Sequence, residues 1–182
     1  TKEHLRNLAT ISNMGWDFRN QYIKQIADID LNLPQNQWDK EMPDEWIPIG
    51  QGANRNNMTE DNYNVFTFRG CYDGNYHEVR NMYMNGNYDN SGFFGVLHHG
   101  ATIKNLGITN VWAKTSKGNI GILAGCSSRY SRNVNIMQCW TSGRVESTGW
   151  GVGGILGQIA LEGNTNILNC SSSAHITGSV DV

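Results

Sequence analysis

Gly92-Phe93-Phe94-Gly95, Ile122-Leu123-Ala124-Gly125 and Gly154-Ile155-Leu156-Gly157 are three versions of one short text, with closing glycines 30 and then 32 residues apart. Each leads, across a polar stretch, to a second apolar text: Ile103-Lys104-Asn105-Leu106, Ile136-Met137-Gln138-Cys139 and Ile167-Leu168-Asn169-Cys170. Val79-Arg80-Asn81-Met82 reads as an earlier copy of that second text, and its first position precedes the others by 24, then 33, then 31 residues. Three columns align: Val/Ile/Ile/Ile, Asn/Asn/Gln/Asn and Met/Leu/Cys/Cys. A further apolar position follows at Val111, Val145 and Ile176. Self-similarity at this period is the signature of a repeat architecture, in which one unit cannot bury its apolar face alone but stacked units share a core.

Glycine decides the kind of repeat. Each glycine inside a helix costs about 1 kcal/mol, so 21 glycines argue against a helical array. Short strands joined at glycine- and asparagine-rich corners fit instead, since both residues tolerate positive φ. The expected fold is all-β: a parallel β-solenoid whose aligned columns form side-chain ladders. The crossover rule predicts a right-handed coil. The column Asn81, Asn105, Gln138 and Asn169 predicts an amide ladder at one corner. Unequal spacing predicts insertions extruded as loops at 98–100, 127–133 and 162–164.

Outward from the repeats, residues 1–14 read as a short helix. Thr1 is the N-cap, Glu3 lies in the first turn, and Gly15 follows the end. Leu5, Leu8, Ala9 and Ser12 share one face, suited to covering the end of a sheet stack. Residues 22–31 change to strand-like alternation, with Ile29 and Leu31 on one side. The polar stretches 32–45 and 51–64 flank Trp46-Ile47-Pro48-Ile49-Gly50 and read as surface loops. The organisation is one domain over 1–182: a helical cap (1–21), first coils with polar loops (22–65) and repeats (66–182).

Several function classes are disfavoured by composition. With 14 basic against 16 acidic side chains and a net charge of −2, the chain has no global field for nucleic acid. No apolar run approaches the length of a transmembrane span. The chain begins at Thr1 without a Met, which reads as a mature or excised piece of a longer protein. Ending on Ser179-Val180-Asp181-Val182, where another glycine block is expected, it predicts an open strand edge covered by further repeats or another chain.

Candidate chemistry is sparse. His77-Glu78-Val79-Arg80-Asn81 opens like a zinc-protease motif, but Asn81 stands where the second His belongs and the segment is strand-like. Asp28, Asp30 and Asp73 have the oxygen chemistry of calcium ligands without a calcium-loop spacing, and turn capping explains them better. The acids of the repeats (Asp73, Glu78, Asp89, Glu146, Glu162, Asp181) do not recur in one column, so no metal, cofactor or catalytic pair is expected. Cys139 and Cys170 fall in an apolar column and read as buried free thiols, with a disulfide between stacked coils as the rival. Cys71 and Cys126 lie near turns.

The aromatics carry the best functional lead. Tyr83 and Trp140 follow the inward Met82 and Cys139, and Trp112 follows the inward Val111, so alternation points all three outward. Tyr83 and Trp140 are expected in one column, two coils apart. Exposed, such rings stack on sugars or anchor a protein; the bland reading, favoured for Trp150, is that neighbouring loops cover them.

These residues resemble the GLUG-repeat proteins of bacterial surfaces, predicted adhesins whose repeats also occur in IgA-specific metallopeptidases. The likeness runs through Ala27-Asp28-Ile29-Asp30-Leu31, Trp46-Ile47-Pro48-Ile49-Gly50 and Phe68-Arg69-Gly70-Cys71-Tyr72-Asp73-Gly74-Asn75-Tyr76-His77. It continues through Gly92-Phe93-Phe94-Gly95, Ala101-Thr102-Ile103-Lys104-Asn105-Leu106-Gly107 and Val152-Gly153-Gly154-Ile155-Leu156-Gly157. Cys71 and Ile122 depart from the pattern. The resemblance implies a β-solenoid, secretion or surface display, and no catalytic residues. The function expected is non-enzymatic binding of a glycan or an extracellular host protein at the cell surface. An accessory domain of a secreted hydrolase or peptidase, a carbohydrate-active solenoid and a passive spacer are the alternatives.

Overall fold

A computed structural model describes residues 1–31, 45–52, 66–85, 88–128, 131–159 and 163–178. Most of the polar stretches 32–45 and 51–64, Glu162, and the final 179–182 lie outside the described residues. The chain is a parallel β-solenoid of roughly three full turns, set between an irregular first turn and a partial last one, behind one N-terminal helix. The first, irregular turn holds β1 (Tyr22–Lys24) and β2 (Ile29–Asp30). The second holds β3 (Cys71–Arg80), β4 (Tyr83–Met84), β5 (Asn90–Ser91) and β6 (Phe94–Leu97). The third holds β7 (Thr102–Thr115), β8 (Asn119–Gly121) and β9 (Ala124–Ser127). The fourth holds β10 (Val134–Met137), β11 (Trp140–Ser147), β12 (Gly151–Gly153) and β13 (Leu156–Ile159). Above it lie β14 (Thr165–Leu168), β15 (Ser171–Ser172) and β16 (His175–Gly178).

Apolar ladders hold the turns together. Tyr72, Ile103, Ile136 and Ile167 stack in one column. Met84, Ala113, Val145 and Ile176 form another. A third runs Phe94, Ala124, Leu156. Tyr72, Met84 and Phe94 of the second turn each lie against a smaller side chain of the third, which fills the interior without overpacking it. The second turn is the aromatic one: Phe93 and Phe94 meet edge-to-face at 5.0 Å, and Phe93 stacks on Trp46 at 5.1 Å.

The repeat reading holds in the glycine texts and slips in the second. Gly95, Gly125 and Gly157 do share a level, because Phe94 pairs with Ala124 and Ala124 with Leu156. They are not at bends. A Cβ on Gly125 would lie 2.7 Å from the Asn90 carbonyl carbon, and one on Gly157 would lie 2.7 Å from that of Ile120. The two small sheets, β5-β8-β12 and β6-β9-β13, thus pack backbone against backbone.

In the second text, Tyr72 rather than Val79 stacks on Ile103. Extra residues between Asp73 and His77 bulge out at the first corner and shift the register. Asn105, Gln138 and Asn169 do share that corner, with φ of 52°, 52° and 53°. Asn81 belongs to the next corner, where Asn110 Nδ2 donates to Asn81 Oδ1 and Asn81 Nδ2 donates to Asp30 Oδ1 at 2.7 Å. The expected fourth apolar position is likewise Ala113, not Val111, because β11 is irregular between Thr141 and Gly143.

Helix α1 (Lys2–Asn13) is capped by Thr1, whose side chain accepts from the His4 N–H at 3.4 Å. Leu5, Ala9 and Ser12 are its buried face, and Leu5 and Ala9 join the core, so the helix covers the first turn. All four cysteines are free. The Cys170 thiol accepts from the Cys139 N–H at 3.4 Å, and burial pushes the Cys139 thiol up to about 12.

Candidate functional site

Tyr83 and Trp140, expected in one column, do not share one. Tyr83 pairs with Trp112, and Trp112 with Arg144, so these two rings do lie in the outward-facing register. They stack on each other at 5.0 Å and are buried, with 4% and 8% of their surface exposed, which removes them as a binding platform. Trp140 pairs instead with Gly107, and Gly107 with Glu78. Conversely Trp150, read as covered, is 57% exposed.

Trp140 is half-buried in a defined way. A Cβ on Gly107 would fall 2.4 Å from its ring, so the indole lies directly across the bare α-carbon of the turn below. From there its Nε1–H reaches the second turn and donates to Glu78 Oε1 at 2.9 Å. Turns stack about 4.8 Å apart, so the indole bridges about 10 Å of outer face. The other oxygen of Glu78 accepts from Thr109 Oγ1 at 3.1 Å and pairs with Arg80 Nε at 3.3 Å.

The network continues to the first turn. Arg80 also pairs with Asp28, which accepts from the Glu78 N–H at 3.0 Å and meets His77 Nδ1 at 3.2 Å. The Glu78 N–H, with smaller help from His77 and Arg80, holds the Asp28 carboxyl below its usual range. His77 and Glu78 therefore sit on a strand, as the sequence suggested, and serve a polar surface. Asp73 is a turn cap: it accepts from the Asn75 N–H at 2.9 Å, Asn105 Nδ2 at 3.0 Å and Tyr22 OH, and pairs with Lys104 at 3.3 Å. Burial acts to raise its pKa, but these donors hold the carboxyl well below the usual range.

Gly107 and Thr109 were not singled out by sequence, and Glu78, Arg80 and Asp28 were weighed there only within candidate metal and catalytic motifs. The isolated Gly107 inside a long strand pattern was the available signal, since such glycines accompany close approach. Tyr76, 63% exposed on the bulge just before His77, is a further aromatic on this side of the second turn.

A cavity of about 340 Å³ lies between α1 and the first turn, lined by Leu5, Leu8, Ile23, Ile29 and Tyr72. Two polar side chains of its wall are engaged: Tyr72 OH donates to Gln25 Oε1 at 3.0 Å, and Gln25 Nε2 donates to the Ala27 and Glu78 carbonyls at 2.8 and 3.1 Å. Among the described residues, no helix is long and apolar enough to cross a membrane, and no three His, Cys, Asp or Glu side chains converge as metal ligands.

No protein-family model, curated protein or solved structure matches this chain.

Proposed function

We propose that this chain is a non-enzymatic recognition module of a secreted or surface-displayed protein, binding a glycan on the outer face around Trp140. The observation that carries the reading is the fixed indole. It is seated on Gly107 and tied to Glu78, so it is held in one orientation before any ligand arrives. A pre-set aromatic plane beside Thr109, Arg80, Asp28 and His77 offers a stacking surface with donors and acceptors at its edge, the combination that sugars require. The resemblance to GLUG-repeat adhesins points the same way.

A glycan-array screen tests it. Trp140→Ala should weaken binding about fivefold to tenfold with the circular dichroism unchanged, while Trp150→Ala leaves it intact. Binding that survives Trp140→Ala, or no binding to any glycan, overturns this reading.

A further inference from the structure

The corner between β6 and β7, expected to extrude a loop at 98–100, is a tight turn with Gly100 exposed and His98 folded inward. The His98 N–H donates to the Phe68 carbonyl at 3.0 Å, and the Ser128 N–H donates to the Leu97 carbonyl at 2.8 Å, so Arg69, His98 and Ser128 occupy successive levels of one stack. His98 is 3% exposed and stacks on His99 at 4.4 Å. Arg132 sits one turn on: its N–H donates to His99 Nδ1 at 3.1 Å, and its carbonyl accepts from the Gly100 N–H at 3.0 Å. On the other side, Arg69 and Arg19 share the single carboxylate of Asp17, at 3.5 and 3.1 Å. Among the described residues, three guanidinium groups and two imidazoles therefore climb three turns against one acid.

This corner also concentrates unsatisfied polar atoms. Arg69 Nε, His98 Nδ1, Ser127 Oγ and Ser131 Oγ are buried without a hydrogen-bond partner. Buried polar groups are ordinarily paired, so four orphans at one corner call for an explanation. The charges there also repel one another. Burial first, then His99 and Arg69, lower the His98 pKa to about 4, and burial followed by Arg69, Arg132 and Arg19 lowers that of His99. Burial and then Arg19 act against the charged form of Arg69 as well.

We propose that this corner is a second binding site, for an acidic polysaccharide, with Arg19, Arg69, His99 and Arg132 engaging its oxyanions. An anion at the exposed edge of the corner relieves the mutual repulsion of Arg19, Arg69 and Arg132. The spacing favours a polymer: Arg69 and Arg132 lie two turns apart, about 10 Å along the stack, with the imidazoles between them, and a chain with charged groups along its length can engage both. The site is separate from the outer face carrying Trp140 and does not depend on it.

The test is binding of the whole chain to immobilised heparin, to oligogalacturonate and to neutral dextran across a salt series. Wild type should be retained on at least one acidic polymer and not on dextran; heparin alone identifies sulfate, oligogalacturonate alone identifies carboxylate, and both together identify the shared charge. Arg19→Ala/Arg132→Ala should weaken retention about tenfold, since the two exposed groups each contribute a modest screened attraction. Lys117→Ala, an exposed cation outside this corner, and Trp140→Ala should leave retention unchanged. Failure of wild type to bind either acidic polymer, or equal losses from Lys117→Ala, overturns the proposal without touching the Trp140 site.

Discussion

Replacing Gly125 by alanine tests whether the repeat glycines serve close approach or bending. An added Cβ would lie 2.7 Å from the Asn90 carbonyl carbon, 2.7 Å from the Ser91 nitrogen and 2.9 Å from the Asn90 α-carbon. All three are backbone atoms of β5, so no side-chain rotation relieves the clash. Carbon atoms prefer about 3.5–4.0 Å, so the facing sheets must separate by most of an ångström. Overpacking of this kind costs about 1–3 kcal/mol. Because the contact is rigid on both sides, the upper end applies, lowering the melting temperature by about 6–12 °C in a domain of this size. Urea and thermal denaturation followed by circular dichroism read the change. Gly125→Asn separates the two explanations. Asparagine tolerates positive φ, so a bending role predicts that it is milder than alanine, whereas a steric role predicts that it is worse. A cost below about 0.5 kcal/mol for alanine, or asparagine milder than alanine, refutes the packing argument.

Ile136→Ala removes a fully buried rung between Ile103 and Ile167 and should cost about 2–5 kcal/mol by urea denaturation, whereas Ile167→Ala, 41% exposed, should cost under about 1 kcal/mol. His98 has its folded pKa lowered to about 4 from 6.5, so both states are neutral above pH 6.5 and the unfolded chain takes up the proton first on acidification. Stability should therefore fall by up to about 3 kcal/mol between pH 6.5 and pH 4 and then level off, and His98→Gln should flatten that slope in pH-dependent melts. Cys139, with its thiol pushed up to about 12 by burial, should resist iodoacetamide at pH 8 until denaturant is added, read by peptide mass spectrometry.

The fold was legible because ladders repeat. Ile103, Ile136 and Ile167 occupy one column in both readings, and so do Gly95, Gly125 and Gly157. The helical cap was legible down to Thr1 and its buried face, because capping and 3.6-residue periodicity are local. What was illegible is register across unequal turns. Counting from Val79 ignored the bulge before His77, so Val79 and Asn81 were assigned one corner too early. Alternation pointed Tyr83 and Trp112 outward but put Tyr83 in the column of Trp140, and it cannot report that Tyr83 and Trp112 stack and bury each other. Burial of an outward residue depends on its neighbours in other turns, and those are set by register.

The same irregularities that hid the site also build it. A regular coil would present identical outer faces at every turn, with nothing to distinguish one position from the next. Here the bulge between Asp73 and His77 brings Glu78 into the column of Gly107 and Trp140. The irregularity between Thr141 and Gly143 follows Trp140 directly, in the fourth turn. Gly143, with φ of 139°, absorbs it, and a Cβ there would lie 2.2 Å from the Val111 carbonyl oxygen. Between the two bulges, the absence of a side chain at Gly107 opens the path from Trp140 to Glu78. Bulges re-aim side chains and accumulate beside functional positions. Gly107→Ala should then displace the indole, break its bond to Glu78 and red-shift its fluorescence while the inward columns stay packed. An unchanged emission spectrum in that variant would mean that the indole is not seated on Gly107, and the pre-set aromatic plane would be lost as an argument for recognition.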